Sequence, residues 1–340
     1  MFDKSRTAAL LPFAGVAALL LLAFYWVITN GSFDLSVGEV FRTLAGQGDD
    51  PVNQTIIFEY RLPRIVMALV VGFGLAIAGA AVQGLTKNGL ADPGIIGITA
   101  GAGAGIMVYI FFFQSSVDAE SWTSLFIRPL FGWAGGLLSS FLILTLAWRN
   151  GRLDIQRFIL MGIAISAGFG SISMFLSLKM DPDDFQKAAF WLNGSLYQAN
   201  WPYILSVVPW LLLLVPVIIW KGYTLDILQL GNQASLGLGV HVNRENLLLL
   251  LASVGIVSAC VSISGNVAFV GLIAPHIARQ LTRSTYRAIL PLSGLIGMLL
   301  VLIADHLGHT IASREIPLEV VIAIIGVPYF IVLLIRGKVR

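Results

Sequence analysis

Arg61 and Arg64 stand three residues apart in the run Arg61-Leu62-Pro63-Arg64, so on a helix they project from neighbouring positions of one face. Arginine presents a planar fork of donors that suits bidentate contact with carboxylates, and the pair fits an acidic partner surface; ordinary anchoring of a helix end uses the same residues. Asp305, His306 and His309 are the second constellation with ligand chemistry. Three candidates on one helix end without a fourth predict local hydrogen bonds and caps, so no metal is expected. Nucleophilic or metal-assisted catalysis at depth would need clustered His, Asp or Cys, and four histidines with the single cysteine Cys260 are scattered. The glycine run Gly101 to Gly105 does not follow the phosphate-loop pattern, and that pattern occurs nowhere in the chain, so no ATP binding by this polypeptide is expected. Glu319 is the clear carboxylate within an apolar run, about one turn inside its outer end, and a snorkelling or hydrogen-bonded interfacial role is expected rather than a proton relay.

The elements that position these residues follow from composition. Of 340 residues, 57% are apolar and 11% charged, and mean hydropathy is +0.86. Soluble domains carry about 25% charged residues, so an ordinary water-facing surface is excluded. The apolar runs are continuous over about 20 residues, enough for a ~30 Å hydrocarbon core and unlike the short alternating segments of a β-barrel. Ten spans result, at about 7–29, 64–86, 94–113, 129–148, 158–178, 201–220, 247–264, 267–280, 288–307 and 316–335. The first is an anchor helix, being too long for a signal peptide and lacking a small-residue cleavage site. With both termini cytoplasmic, fourteen of the 21 Lys/Arg lie inside and seven outside, while five acids lie inside and thirteen outside. Such a bias over short loops supports an even span count with both ends inside. Glycines 72, 74, 79 and 84 in the second span, and 97, 101 and 105 in the third, suit close helix packing. Basic residues sit in short loops and form no nucleic-acid patch.

Three segments carry a resemblance. The first joins Arg61-Leu62-Pro63-Arg64 to Gly79-Ala80-Ala81-Val82-Gln83 and the stretch Asn88-Gly89-Leu90-Ala91-Asp92-Pro93-Gly94-Ile95-Ile96-Gly97. The second is Leu230-Gly231, Ala234 and Leu236-Gly237. The third runs from Gly265 through Phe269-Val270-Gly271-Leu272-Ile273-Ala274-Pro275-His276-Ile277-Ala278-Arg279 to Ala304-Asp305, Glu315-Ile316-Pro317 and Gly326-Val327-Pro328-Tyr329-Phe330. Together they resemble the permease subunits of bacterial ABC importers for iron(III)-siderophores, haem and vitamin B12. The likeness covers nearly the whole chain.

The resemblance implies an all-α polytopic fold like that of the vitamin B12 permease, with residues 1–340 as one transmembrane domain. It also implies a bacterial cytoplasmic membrane location, a second permease subunit, two cytoplasmic ABC ATPase subunits and an extracytoplasmic substrate-binding protein, with no cofactor and no enzymatic activity of its own. Arg61 and Arg64 would receive glutamates of the binding protein. The family's third docking arginine is replaced here by His309, with Arg314 nearby, and histidine adds a group that titrates near neutrality. The inner segment of about 221–246 would contact the ATPase through Leu230, Gly231, Ala234, Ser235, Leu236 and Gly237, a short helix ending at glycine. Asn88, Gly89 and Leu90 would form the cytoplasmic gate, with Gly89 in place of the family's proline and a looser turn expected. Gly162, Ser166, Gly168 and Gly170 would line the translocation path, and Glu319 occupies a position where the pattern has glycine. An iron(III)-siderophore is the expected cargo, with haem or vitamin B12 as the alternative. A secondary transporter driven by an ion gradient is the rival, and the uncharged span middles oppose it.

Overall fold

The computed structural model describes residues 3–31, 35–47, 50–94, 97–114, 122–149, 152–282, 285–311 and 315–335. Apolar runs without water to solvate their amides must satisfy them internally, and each of the ten predicted runs folds as a helix. These are α1 (Asp3–Thr29), α4 (Leu62–Thr86), α5 (Ile98–Phe113), α6 (Trp122–Ala147), α7 (Ile155–Ser177), α9 (Trp201–Trp220), α12 (Val242–Ser264), α13 (Val270–Thr282), α14 (Tyr286–Thr310) and α15 (Leu318–Ile335). Among the described residues seven helices are long and apolar enough to cross a membrane, and Ile98–Phe113 and Leu318–Val332 are shorter apolar helices.

Elements that hydropathy alone does not mark fill the connections. α2 (Val37–Leu44) starts at a capping box in which the Ser36 hydroxyl and backbone N–H donate to Glu39, holding that carboxyl below its usual range. α3 (Pro51–Thr55) runs through a π-helical turn, Ile56–Arg61, straight into α4. A two-residue hairpin, β1 (Trp148–Arg149) with β2 (Arg152–Leu153), joins α6 to α7. α8 (Pro182–Leu192), α10 (Gly222–Gln229) and α11 (Asn232–Gly237) complete the chain.

α4 is the central helix, packed on α9, α12, α13 and α14. Its glycines make the crossings close. A Cβ on Gly72 would stand 2.3 Å from the Gly297 carbonyl of α14, and one on Gly79 would stand 2.1 Å from the Gly271 carbonyl of α13. Gly101 and Gly135 bring α5 and α6 together in the same way, with 2.5 Å and 2.2 Å to the opposing carbonyls. Such approaches maximise dispersion contact where lipid offers no hydrophobic drive.

Candidate functional site

At the end of the bundle where α4 begins, the Arg61 guanidinium donates to the Ile28 carbonyl at 2.7 Å and lies against Gly31. Arg64 forks onto Asp305 of α14, with Nε to Oδ2 at 2.7 Å and an NH2 to Oδ1 at 2.9 Å, and it also contacts Glu315. Arg64 is therefore largely occupied by carboxylates of its own chain, and Arg61 donates to a backbone oxygen of α1. Both face a cavity of about 490 Å³ whose wall also holds Tyr60, Tyr197, Asp305 and His309. The sequence-predicted residues Arg61, Arg64 and His309 thus share one concavity, and Arg314 lies outside the described residues. His309 Nδ1 is 3.2 Å from the Asp305 carbonyl, and His306 is buried edge-on against Trp26 at 4.4 Å between ring centroids. No metal-ligating group of three or more His, Cys, Asp or Glu occurs among the described residues. Tyr60 and Tyr197 are wall residues that sequence reasoning passed over, because isolated tyrosines near helix ends carry no spacing signal.

At the opposite end, α10 and α11 form a bent pair. The bend is built by Gly231 at φ 100° and by Ser235, whose hydroxyl donates to the Ile227 carbonyl at 3.0 Å and the Gly231 carbonyl at 2.8 Å. Ser235 is buried, so its place is inside the turn, whereas Leu230, Ala234, Leu236 and Gly237 are exposed. The helix ends at Gly237 as expected, but the left-handed residue is Gly239 at φ 81°, since the last turn is closed by the Val240 N–H on the Ser235 carbonyl. Three bonds tie the pair to the bundle. Asp226 accepts the Tyr286 N–H at the start of α14 at 2.8 Å, Gln229 donates to the Gly84 carbonyl of α4 at 2.8 Å, and Lys221 pairs with Glu245 at 2.8 Å. Burial pushes the Asp226 carboxyl up, and the Tyr286 bond opposes that.

The turn after α4 carries Asn88, Gly89 and Leu90. Asn88 Oδ1 accepts the Leu90 N–H at 2.9 Å, and the left-handed conformation falls on Lys87 (φ 52°) rather than on Gly89. A Cβ on Gly89 would meet only the Arg279 guanidinium, at 3.7 Å. Arg279, near the end of α13, donates to Gln83 Oε1, and the Gln83 amide donates to the Gly271 carbonyl at 3.2 Å. Asp92 extends the turn to the other end of α13, where its Oδ2 accepts the Phe269 N–H at 3.2 Å. Phe269 takes φ 67°, a region that aromatic residues rarely enter, so the surrounding bonds hold it there. Gln83 and Arg279 are thus part of the turn's support, and their separation of 196 residues hid the contact from spacing arguments.

Between these ends lies a cavity of about 540 Å³ walled by α5, α7, α8 and the break between α12 and α13. Ser166 and Gly170 line it. Gly162 instead packs on Gly97, where a Cβ would stand 2.9 Å from the Gly162 carbonyl, and a Cβ on Gly168 would meet open space. Asn266 lines the cavity as well, and its amide Nδ2 stands 2.9 Å from both carboxylate oxygens of Glu319.

The sequence profile of the FecCD transport family matches residues 19–336. The iron-uptake system permease protein FeuC of Bacillus subtilis is 49% identical over 322 residues, covering 94% of this chain and 96% of that protein. The iron(3+)-hydroxamate import system permease protein FhuG of the same organism is 41% identical, covering 98% of this chain and 100% of that protein. An inward-facing structure of a metal-chelate type ABC transporter superposes with a TM-score of 0.81 at 32% identity, over 96% of this chain and 99% of that one.

Proposed function

The chain belongs to the FecCD transport family, and from that premise we propose that it is the transmembrane permease of an ATP-binding-cassette importer carrying an iron(III)-siderophore across the bacterial cytoplasmic membrane. The match of 98% of this chain to the whole of an iron(3+)-hydroxamate permease carries this reading. In it, residues 1–340 act as one permease domain with both termini cytoplasmic, and ATP is hydrolysed by separate subunits. A second permease subunit completes the path, and membrane lipid surrounds the pair.

The finer assignments rest on chemistry at each end. The cavity holding Arg61, Arg64 and His309 receives acidic side chains of an extracytoplasmic binding protein, with Arg64 held in register by Asp305. The exposed Leu230, Ala234, Leu236 and Gly237 of the α10–α11 pair enter a cleft of the ATPase. The turn at Asn88, Gly89 and Leu90 closes the cytoplasmic side. Uptake in reconstituted vesicles is the test. Accumulation of iron(III)-siderophore should require the ATPase, ATP and the binding protein together, and Arg61→Glu should sharply reduce it while the complex still assembles. Accumulation driven by a proton gradient without the ATPase would overturn the reading.

A further inference from the structure

The α7 wall of the central cavity is one-sided in its hydrogen bonding. Ser166, Ser173 and Ser177 line it, and each donates its hydroxyl proton to a carbonyl about one turn back on α7: Gly162 at 2.8 Å, Phe169 at 3.0 Å and Met174 at 2.8 Å. Their protons are spent inside the helix, so what they offer the cavity is lone pairs. Asn266 is arranged to the same effect. A carboxylate can only accept, so Glu319 draws the amide nitrogen toward itself and leaves Oδ1 as the end of the amide turned away from Glu319. Trp191, whose indole N–H is buried without a described hydrogen-bond partner, and Thr99, whose hydroxyl makes no described hydrogen bond, add neutral donors among the lining residues. None of the described lining residues is charged, and no described cation lies within 4.0 Å of Glu319. When Glu319 is ionised its charge therefore has no cation in place, and a low-dielectric wall carries its field into the path.

We propose that the Asn266–Glu319 pair is a selectivity element of the path, favouring chelates that present ammonium or amide N–H groups over chelates with an anionic exterior. Glu319 is the positioning residue and Asn266 Oδ1 the contacting one. This deepens the importer reading and rests on it.

The test uses the complete importer in vesicles and three iron(III) trishydroxamates sharing the desferrioxamine B core, with the terminal amine free, acetylated or succinylated. Uptake by Glu319→Gln is divided by wild-type uptake for each chelate, which cancels discrimination by the binding protein. The expected result is a loss of about threefold or more for the ammonium form, little change for the neutral form and a gain for the succinylated one. An equal change for all three, total loss included, overturns the proposal and leaves Glu319 a packing residue. Should Glu319→Gln fail to reach the membrane, Asn266→Ser is measured in the same way, and the same two outcomes decide. If the wild type carries none of the three yet imports iron(III) citrate, the selectivity proposal falls while the importer stands; if ATP drives no iron chelate inward, the importer reading itself falls.

Discussion

Arg64 is held by two acidic side chains of its own chain, and the ion pair with Asp305 is shielded, with side-chain exposures of 19% and 7%. Removing Asp305 takes away the forked partner and leaves the shielded Arg64 charge with Glu315 alone. Asp305→Ala is therefore expected to destabilise the protein by about 3 kcal/mol, measured as a lowered unfolding midpoint in detergent. Arg64→Lys should recover little of that stability, because an ammonium cannot span both carboxylate oxygens. The arginine motif was legible in the sequence, but its attachment was not. Asp305 lies 241 residues away, and no local pattern reports which helix ends meet in space. Glu319 shows the same limit. A hydrogen-bonded interfacial carboxylate was expected, and Asn266 as its partner emerges only because α15 packs beside the break between α12 and α13.

At the scale of elements, all ten apolar runs could be read from hydropathy, while α8, the π-helical turn and the hairpin could not, being short or compositionally mixed. Glycine spacing pointed to close packing without naming partners. Gly79→Leu should force α4 from α13, at about 3 kcal/mol or more, with loss of folded protein in membranes as the readout. The α10–α11 pair behaves oppositely. Gly237 has open space where a side chain would go, so Gly237→Trp should fold normally and yet uncouple ATP hydrolysis from uptake. Unchanged coupling would count against α11 as the ATPase contact. The gate turn was expected to be loosened by glycine. With the left-handed position on Lys87 and room at Gly89, Gly89→Ala should raise stability by about 0.5 kcal/mol, seen as a higher midpoint with uptake retained.

For the molecule as a whole, the charge bias across loops and the resemblance in three segments led to the same ten-helix permease. What sequence could not convey is how its two ends communicate. The cavity proposed to receive a binding protein and the α10–α11 pair proposed to contact the ATPase are both tied to α14, whose start bonds Asp226 and whose far turn bonds Arg64. The purified permease alone in vesicles should accumulate nothing against a gradient, and solute accumulation by the lone polypeptide would refute a passive path.

The brevity of α13 has a consequence for biogenesis. Its 13 residues rise about 20 Å, well short of a bilayer's apolar depth, and the extended chain before it holds the Phe269 amide on Asp92, a side chain from elsewhere in the fold. Such a segment is a poor substrate for direct partitioning by a translocon, since its amides would meet lipid bare. Its entry must wait for the earlier helices to be in the bilayer, which makes insertion ordered, amino-terminal half first. A ribosome-stalled chain lacking residues 62–94 should leave the α12–α13 hairpin at the membrane surface, exposed to added protease.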